Sequence, residues 1–169
     1  MPLLKDGQIT EDVWQSLDED AQTAPEGDLI VSLEQWQTAG GKLRARNGRL
    51  GLRLKSDQSP ALVGDDIERF DLIALEFPRF GDGRAYSYAR LLRERNGFAG
   101  ELRAVGNVLR DQLFFMLRCG FDSFEVSKET APSDWQAAIS EFSVWYQPAT
   151  DSRKPVGALR RTATSTANR

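Results

Sequence analysis

The sequence predicts an α/β domain built from about five β–α units. Short apolar runs alternate with helix-like stretches from residue 29 onward. The helix-like stretches place apolar residues on one face with the 3.6-residue period of an α-helix. Strands separated by helices imply right-handed crossovers and a mostly parallel sheet. We expect an open sheet with helices on both faces, and the alternative is a partial TIM-barrel-like half-barrel.

The predicted strands are the short apolar runs. The first two cover residues 29–33 and 50–54, and the second alternates with the period of two that is typical of strands. The third, at residues 71–77, is almost continuously apolar, as expected of a parallel strand that is buried on both faces. Two more strands are predicted at residues 101–105 and 121–126.

The predicted helices fill the segments between and after these strands. Their ends carry the expected signals, since Ser59-Pro60 opens one helix and Asn96-Gly97 ends another, and a capping box begins the last at Ser133. The helix after the third strand has the apolar residues Ala85, Tyr88, Ala89 and Leu92 on one face. The predicted helices cover residues 34–43, 60–67, 84–95, 108–119 and 133 to about 145.

The composition bounds the domain organisation and the chemistry. We expect residues 1–28 to form an arm, residues 29–148 the α/β domain, and residues 149–169 a disordered basic tail. The chain has 169 residues, a net charge of −3, one cysteine and no histidine. The missing histidine excludes Ser-His-Asp and Cys-His nucleophilic sites and histidine-held zinc, and no metal site is predicted. The lone Cys119 favours a cytoplasmic location, and we expect it to be a buried structural thiol.

The acidic charge outside the tail argues against nucleic-acid binding, and no apolar run is long enough to cross a membrane. Ligands of open parallel sheets bind beyond the carboxyl ends of the strands. The loop after the third strand lies there, and we expect Asp82 to be the N-cap of the next helix. That helix N-terminus and Arg84 form a candidate anion site, although the same residues suit an ordinary turn and cap. The candidate anion-site residues are Asp82, Gly83, Arg84, Ser87, Arg103, Asn107 and Asp111.

Arginines are dense between residues 80 and 121. Most are expected to form a solvated, salt-bridged face, with Arg90 paired to Glu94 at helical spacing. The alternative is a basic recognition surface, with Arg90, Arg93 and Arg118 as the partner-binding residues. Arg103 lies inside a predicted internal strand, so it must meet an acid or a ligand, and Glu101 is the nearest acid on the same face.

One stretch carries a family resemblance. The run FPRFGDGRAYSYARLLRERNGFAGELRAVGNVLRDQLFFMLRCGFDSFEV resembles bacterial proteins catalogued as domain-of-unknown-function family 934. The resemblance extends over about residues 29–145 and is densest over residues 77–126. Members are often labelled as oxidoreductases of sulfite reduction, and the family is associated with assimilatory sulfate reduction alongside a sirohaem sulfite reductase. Asn107 stands where an acid is usual in the family.

The resemblance implies one functional hypothesis, and the candidate anion-site residues imply another. The first is an accessory protein of assimilatory sulfite reduction, without a cofactor of its own, that binds the sulfite reductase haemoprotein or its electron donor. The second is an enzyme or sensor for a small oxyanion such as sulfite, with a carboxylate as its acid or base. The oxidoreductase label gains no support from the residues, because no nicotinamide or flavin fingerprint and no cysteine pair is present. A homodimer is left open.

Overall fold

The computed structural model describes residues 1–18, 25–151 and 153–159. In this part of the chain a single sheet runs in the order β2-β1-β8-β7-β6-β5-β4-β3. The strands β3 to β8 are parallel and lie side by side in chain order, and β1 pairs antiparallel with both β8 and β2. The strands are β1 (Leu3–Lys5), β2 (Gln8–Thr10), β3 (Gln15–Ser16), β4 (Leu29–Ser32), β5 (Leu50–Leu54), β6 (Leu72–Phe77), β7 (Glu101–Gly106) and β8 (Ser123–Glu125).

Helices follow four of the parallel strands. Ser32 caps α1 through a reciprocal pair of hydrogen bonds with Gln35, at 3.1 Å from the Gln35 N–H to the serine Oγ and 2.8 Å from the Ser32 N–H to the glutamine Oε1. Short 3₁₀ helices lie at Pro60–Leu62, Gly64–Arg69 and Arg110–Gln112. The α-helices are α1 (Leu33–Arg44), α2 (Arg84–Glu94), α3 (Leu113–Arg118) and α4 (Pro132–Ser140).

The two faces of the sheet are covered differently. Buried residues from all four helices belong to one large apolar cluster with one face of the strands. The other face, here called the inner face, carries a small cluster of Ile30, Leu72, Ala74 and Val105, with Trp14 packed against it. Parallel strands in chain order with right-handed crossovers place their helices on one side. The α/β prediction is therefore confirmed, and of the two predicted arrangements the structure has the half-barrel.

Several predicted element boundaries need correction. Residues 60–67 form two 3₁₀ turns around Gly64, whose φ of +61° interrupts a continuous helix. The last helix begins at Pro132, where the Asp134 carboxylate accepts from the Ala131 N–H at 2.7 Å, so the predicted cap at Ser133 is wrong. That helix also ends at Ser140, well before the predicted residue 145.

The predicted arm contributes three strands to the sheet. β1 pairs with β8, whereas β3 pairs with β4, the strand farthest from β8 among those after residue 25. The chain between β2 and β3 must therefore cross the sheet, and Trp14 marks its path over the inner face. Residues 19–24 of the predicted arm and residues 152 and 160–169 of the predicted tail lie outside the described residues. In the described part of the predicted tail, Thr150 donates from its N–H and hydroxyl to the Arg118 carbonyl.

Gly51 makes room for the arm on β5. A methyl group at Gly51 lies 3.2 Å from the Trp14 ring and 3.0 Å from Ile30. We expect Gly51→Ala to lower the free energy of unfolding by about 1–3 kcal/mol through overpacking, as measured by urea denaturation. The control is Gly41→Ala in α1, where the methyl group meets nothing within 4 Å. It is expected to raise stability by about 0.5–1 kcal/mol, and equal effects of the two substitutions would contradict the packing of Trp14 on β5.

Candidate functional site

The inner face holds a buried arginine in the middle of the sheet. Arg103 on β7 is aligned with Ala74 of β6 and Ser123 of β8, and its side chain is 1% exposed. Its Nε and Nη2 donate to the Glu101 Oε1 at 3.1 and 2.9 Å, which confirms the predicted pairing. Its Nη1 donates to the Asp12 Oδ2 at 2.7 Å. The carboxylate of Asp12 thus fastens the crossing arm to the centre of the sheet.

Glu101 completes this network. Its carboxylate also accepts from the Ser123 hydroxyl at 2.6 Å and from the Lys5 ammonium at 2.7 Å. Burial opposes ionisation of Glu101, but the hydrogen bonds from Lys5 and Ser123 and the charge of Arg103 outweigh it, so the pKa of this carboxyl lies below its usual value. Two cations and two anions balance within the network. Each guanidinium nitrogen of Arg103 is therefore used in bonds within the protein. We call this network the structural lock; its members are Lys5, Asp12, Glu101, Arg103 and Ser123.

Among the described residues, the inner face is open beyond this lock, toward the carboxyl ends of β4, β5 and β6. A cleft of about 330 Å³ lies there, next to a second cleft of about 490 Å³ with which it shares Leu17, Ser32, Gln35 and Lys55. Arg53 projects into the smaller cleft from β5, and its guanidinium approaches the Glu76 carboxylate of β6 at 3.6 Å. Charged side chains on internal parallel strands, facing an open cleft, are suited to hold a polar ligand.

The predicted anion loop lies at the same edge of the sheet, beyond β6. Arg84 donates from Nε and Nη2 to the Asp82 carboxylate at 3.0 and 2.7 Å, and Nη2 also donates to the Ser56 hydroxyl at 2.9 Å. The hydrogen bonds from Arg84 hold the pKa of Asp82 well below its usual range. The N-cap of α2 is Gly83, not Asp82, although the Asp82 carboxylate accepts from the Arg84 N–H at 3.3 Å. An incoming anion must therefore displace an internal carboxylate.

The other predicted anion-site residues do not gather with this loop. Arg103 lies three residues before the end of its strand and bonds toward Glu101 at the start of it. Ser87 is exposed on α2, and Asn107 is exposed after β7, where its N–H donates to the Phe77 carbonyl at 2.7 Å. Asp111 lines a different cleft, described below.

The three predicted partner-binding arginines differ in their accessibility. Arg93 donates from Nε to the Gly120 carbonyl at 3.0 Å and from Nη1 to the Gly100 carbonyl at 2.9 Å, and Arg118 donates to the Gln147 carbonyl at 2.6 Å. Arg93 and Arg118 are thus largely occupied within the chain. Arg90 is exposed and pairs with Glu94, as predicted.

A third cleft, of about 470 Å³, lies on the helical side between α2 and the segment that leads into α3. Its aromatic rim is exposed to solvent, with 61% of Phe80 and 51% of Phe115 accessible. Cys119 is half-buried at this cleft and not fully buried as predicted, and burial raises the pKa of its thiol. The cleft thus offers an apolar rim with few ionised groups. Its lining residues are Phe80, Tyr86, Asp111, Gln112, Phe115 and Cys119.

Tyr86 gives this cleft a measurable pH dependence. Burial, with the nearby Cys119 and Asp111, raises the pKa of Tyr86 from 10.0 to about 12. A raised pKa in the folded state means that its contribution to stability is full below pH 10 and is lost as the pH rises toward 12. We expect the free energy of unfolding of the wild type to fall more steeply over this interval than that of Tyr86→Phe. Parallel urea titrations of the two proteins measure the difference, and identical pH profiles would contradict the burial of the phenol.

The structure adds residues that the sequence reasoning did not select. Arg53 and Glu76 had a usable signal, because each is a charged residue at an inner-face position of an internal strand, like Arg103. Phe115 lies off the apolar face of its helix, which is a signal of exposure. Asp12 had no such signal in the sequence, because its partner Arg103 lies 91 residues away.

Comparison with known proteins places the chain in a family. A family model described as "Bacterial protein of unknown function (DUF934)" matches residues 51–157, and no curated protein matches the chain. Within the described residues, the helices are too short or too polar to traverse a bilayer, and acidic and thiol side chains do not gather in groups of three or more that could hold a metal ion. The family match covers well over half of the sequence and agrees with the resemblance seen in it. The chain belongs to the DUF934 family of bacterial proteins of unknown function.

Proposed function

We propose that this protein is an accessory protein of assimilatory sulfite reduction that binds the sulfite reductase haemoprotein or its electron donor and contributes no cofactor of its own. The observation that carries the docking role is an exposed aromatic surface formed by Phe80, Phe115 and Phe142. The sulfur pathway comes from the family resemblance alone.

The three phenylalanines of the aromatic surface are linked by a shared cleft and by ring contacts. Phe80 and Phe115 line the same cleft, and the Phe115 and Phe142 rings lie 6.1 Å apart. The buried Phe114 packs against both Phe115 and Phe142, with ring centroids 5.5 and 5.3 Å apart. Phenylalanines exposed in a group and held on a buried aromatic base are typical of a protein-binding surface, where aromatic side chains supply most of the binding energy.

Arginines lie near this surface, with Arg90 close to Cys119 of the cleft and Arg153 over the Phe114 ring at 5.9 Å. Arg90 and Arg110 are about half exposed, with side-chain exposures of 49% and 50%. Arg153 stacks over the Trp145 ring at 5.1 Å. Arginine and aromatic residues are the types enriched at protein interfaces, and an arginine rim favours a partner with acidic groups around an apolar centre. Binding should therefore weaken, but not vanish, when moderate salt screens the rim.

Co-purification with the sulfite reductase haemoprotein tests the proposal directly. The tagged protein is expected to retain the reductase at low salt and, more weakly, at moderate salt. Phe115→Ser is expected to weaken binding at least about tenfold, as truncation of a central aromatic residue does at other interfaces. Leu62→Ser is the matched control, because Leu62 is equally exposed but lies in a 3₁₀ turn outside the aromatic surface.

The outcomes separate the two parts of the proposal. If the reductase and its electron donor both fail to bind the wild type, the sulfite-reduction role is wrong. If one of them binds and Phe115→Ser binds as well as Leu62→Ser, the partner is right but the aromatic surface is not its docking site.

A further inference from the structure

We propose that the open half of the inner face is a binding site for a small zwitterion, a molecule of the amino-acid class, with Arg53 holding its anionic group and Glu76 its ammonium group. This site is distinct from the aromatic surface, which lies on the helical side. It therefore does not depend on the docking function proposed above.

The Arg53 guanidinium lies at the cleft without a close ion-pair partner among the described residues. Arg53 lies on β5, between its two sheet neighbours Ser32 of β4 and Ala74 of β6. Both neighbours are small, so the guanidinium has room above the sheet. Its one ion-pair partner among the described residues is Glu76 at 3.6 Å, which is beyond hydrogen-bond distance, and 45% of the side chain is exposed. The donors of Arg53 thus face the cleft and not a structural partner.

Arg103 occupies an equivalent position on the inner face but has its guanidinium fully paired. The two arginines occupy one row of the inner face, since both are aligned with Ala74. Arg103 is fully buried and bonded to two carboxylates under the crossing arm. Arg53 has the same kind of position but lies where the cleft is open. An arginine on an internal strand needs a partner, and the arm supplies one only to Arg103.

The shape of the cleft sets the size of the ligand. Its volume of about 330 Å³ suits a molecule of a few to about a dozen heavy atoms, and the adjoining cleft leaves space for a longer side chain. Ile30 gives an apolar wall. Ser32 and Gln35 lie at the junction of the two clefts, where hydrogen bonds to each other and to the Leu17 carbonyl fix their side chains. The site therefore combines an apolar wall with fixed polar groups, as small-molecule sites do.

The charges set the chemistry of the ligand. A guanidinium binds a carboxylate or another planar oxyanion through two parallel hydrogen bonds. The Glu76 carboxylate, 3.6 Å from that guanidinium, attracts an ammonium group. Lys55 also lines the cleft, and its ammonium is paired with the Glu34 carboxylate at 3.4 Å. A ligand that carries both groups on one carbon atom satisfies both side chains. An α-amino acid has this arrangement.

The test uses the full-length protein and a panel of the twenty common α-amino acids, with calorimetry and thermal denaturation as readouts. At least one amino acid is expected to bind and to raise the melting temperature, since a ligand of the folded state stabilises it. Its N-acetyl derivative and the corresponding amine, which each lack one charge, are expected to bind at least about tenfold more weakly. Sulfite and phosphate are the simple-anion probes.

Variants locate the site. Arg53→Met and Glu76→Gln are each expected to weaken binding of that amino acid at least about tenfold, and Arg53→Lys keeps the charge while losing the paired hydrogen bonds. The control is Arg69→Met, which removes an exposed arginine on the helical side. No binding by any of the twenty amino acids overturns the proposal. So does binding that Arg53→Lys and Glu76→Gln leave unchanged, or tighter binding of sulfite or phosphate than of any amino acid.

Discussion

Arg103→Ala is expected to lower the free energy of unfolding by about 3–5 kcal/mol, the loss found when one partner of a buried ion pair is removed. The substitution leaves Glu101 with Lys5 and Ser123 as its remaining donors and leaves the Asp12 carboxylate without its partner on the sheet. It also opens a cavity where a fully buried arginine stood. Loss of the Asp12 contact should release the crossing arm.

Urea denaturation of the wild type and the variant measures this effect. The control is Arg90→Ala, which breaks an exposed pair at helical spacing and should change stability by less than about 0.5 kcal/mol. A double variant, Arg103→Met with Glu101→Leu, replaces the charged pair by apolar groups and should recover part of the loss. If Arg103→Ala were no more destabilising than Arg90→Ala, the inner-face network would not be a structural lock.

Arg93→Ala is expected to cost about 3 kcal/mol, because it leaves several partly buried carbonyl groups without a donor. The Arg93 guanidinium donates to the carbonyls of Phe98, Gly100 and Gly120 and pairs with Asp122. These acceptors lie in the turns that lead into β7 and β8, so a single side chain fixes both strand entries to α2.

The geometry of Arg93 predicts that lysine cannot replace it. An ammonium group has donors on one atom, and it cannot reach three carbonyls that the guanidinium fork serves together. Arg93→Lys should therefore lose most of the stability that Arg93→Ala loses, as measured by thermal denaturation. Arg95→Ala, two residues away and exposed, is the control and should be almost neutral. Full stability of the lysine variant would show that charge alone matters at this position.

The sheet was the most predictable part of the fold. The runs around Leu52, Ile73 and Leu102 are locally apolar, and a buried parallel strand requires little else. Strand order was less accessible, because it depends on contacts between distant segments. The N-terminal strands were missed for a related reason, since the pairing of Leu4 with Phe124 gives neither segment a local pattern of its own.

The candidate sites were only partly predictable. The sequence identified Arg103 as an arginine that needed an acid and named Glu101 correctly. It did not place Arg84 against Asp82 as a closed pair, because a sequence of Gly, Asp, Gly and Arg is compatible with either a free loop or a satisfied one. Arg53 and Glu76 were open to the same reasoning as Arg103, and only the half-barrel shows that both line one cleft formed by the described residues.

The pairing of β1 with β8 has a consequence for biosynthesis. A ribosome makes the chain from its amino end, so β1 leaves the exit tunnel long before the strand that it pairs with. Until β8 emerges, Leu3 and Leu4 have no sheet to join and Asp12 has no docked arginine to hold it. The parallel strands can form in the order of translation. The sheet is complete only when β1, which is made first, pairs with β8, which is made last. Such a late, long-range step slows folding and leaves apolar segments of the nascent chain available to chaperones.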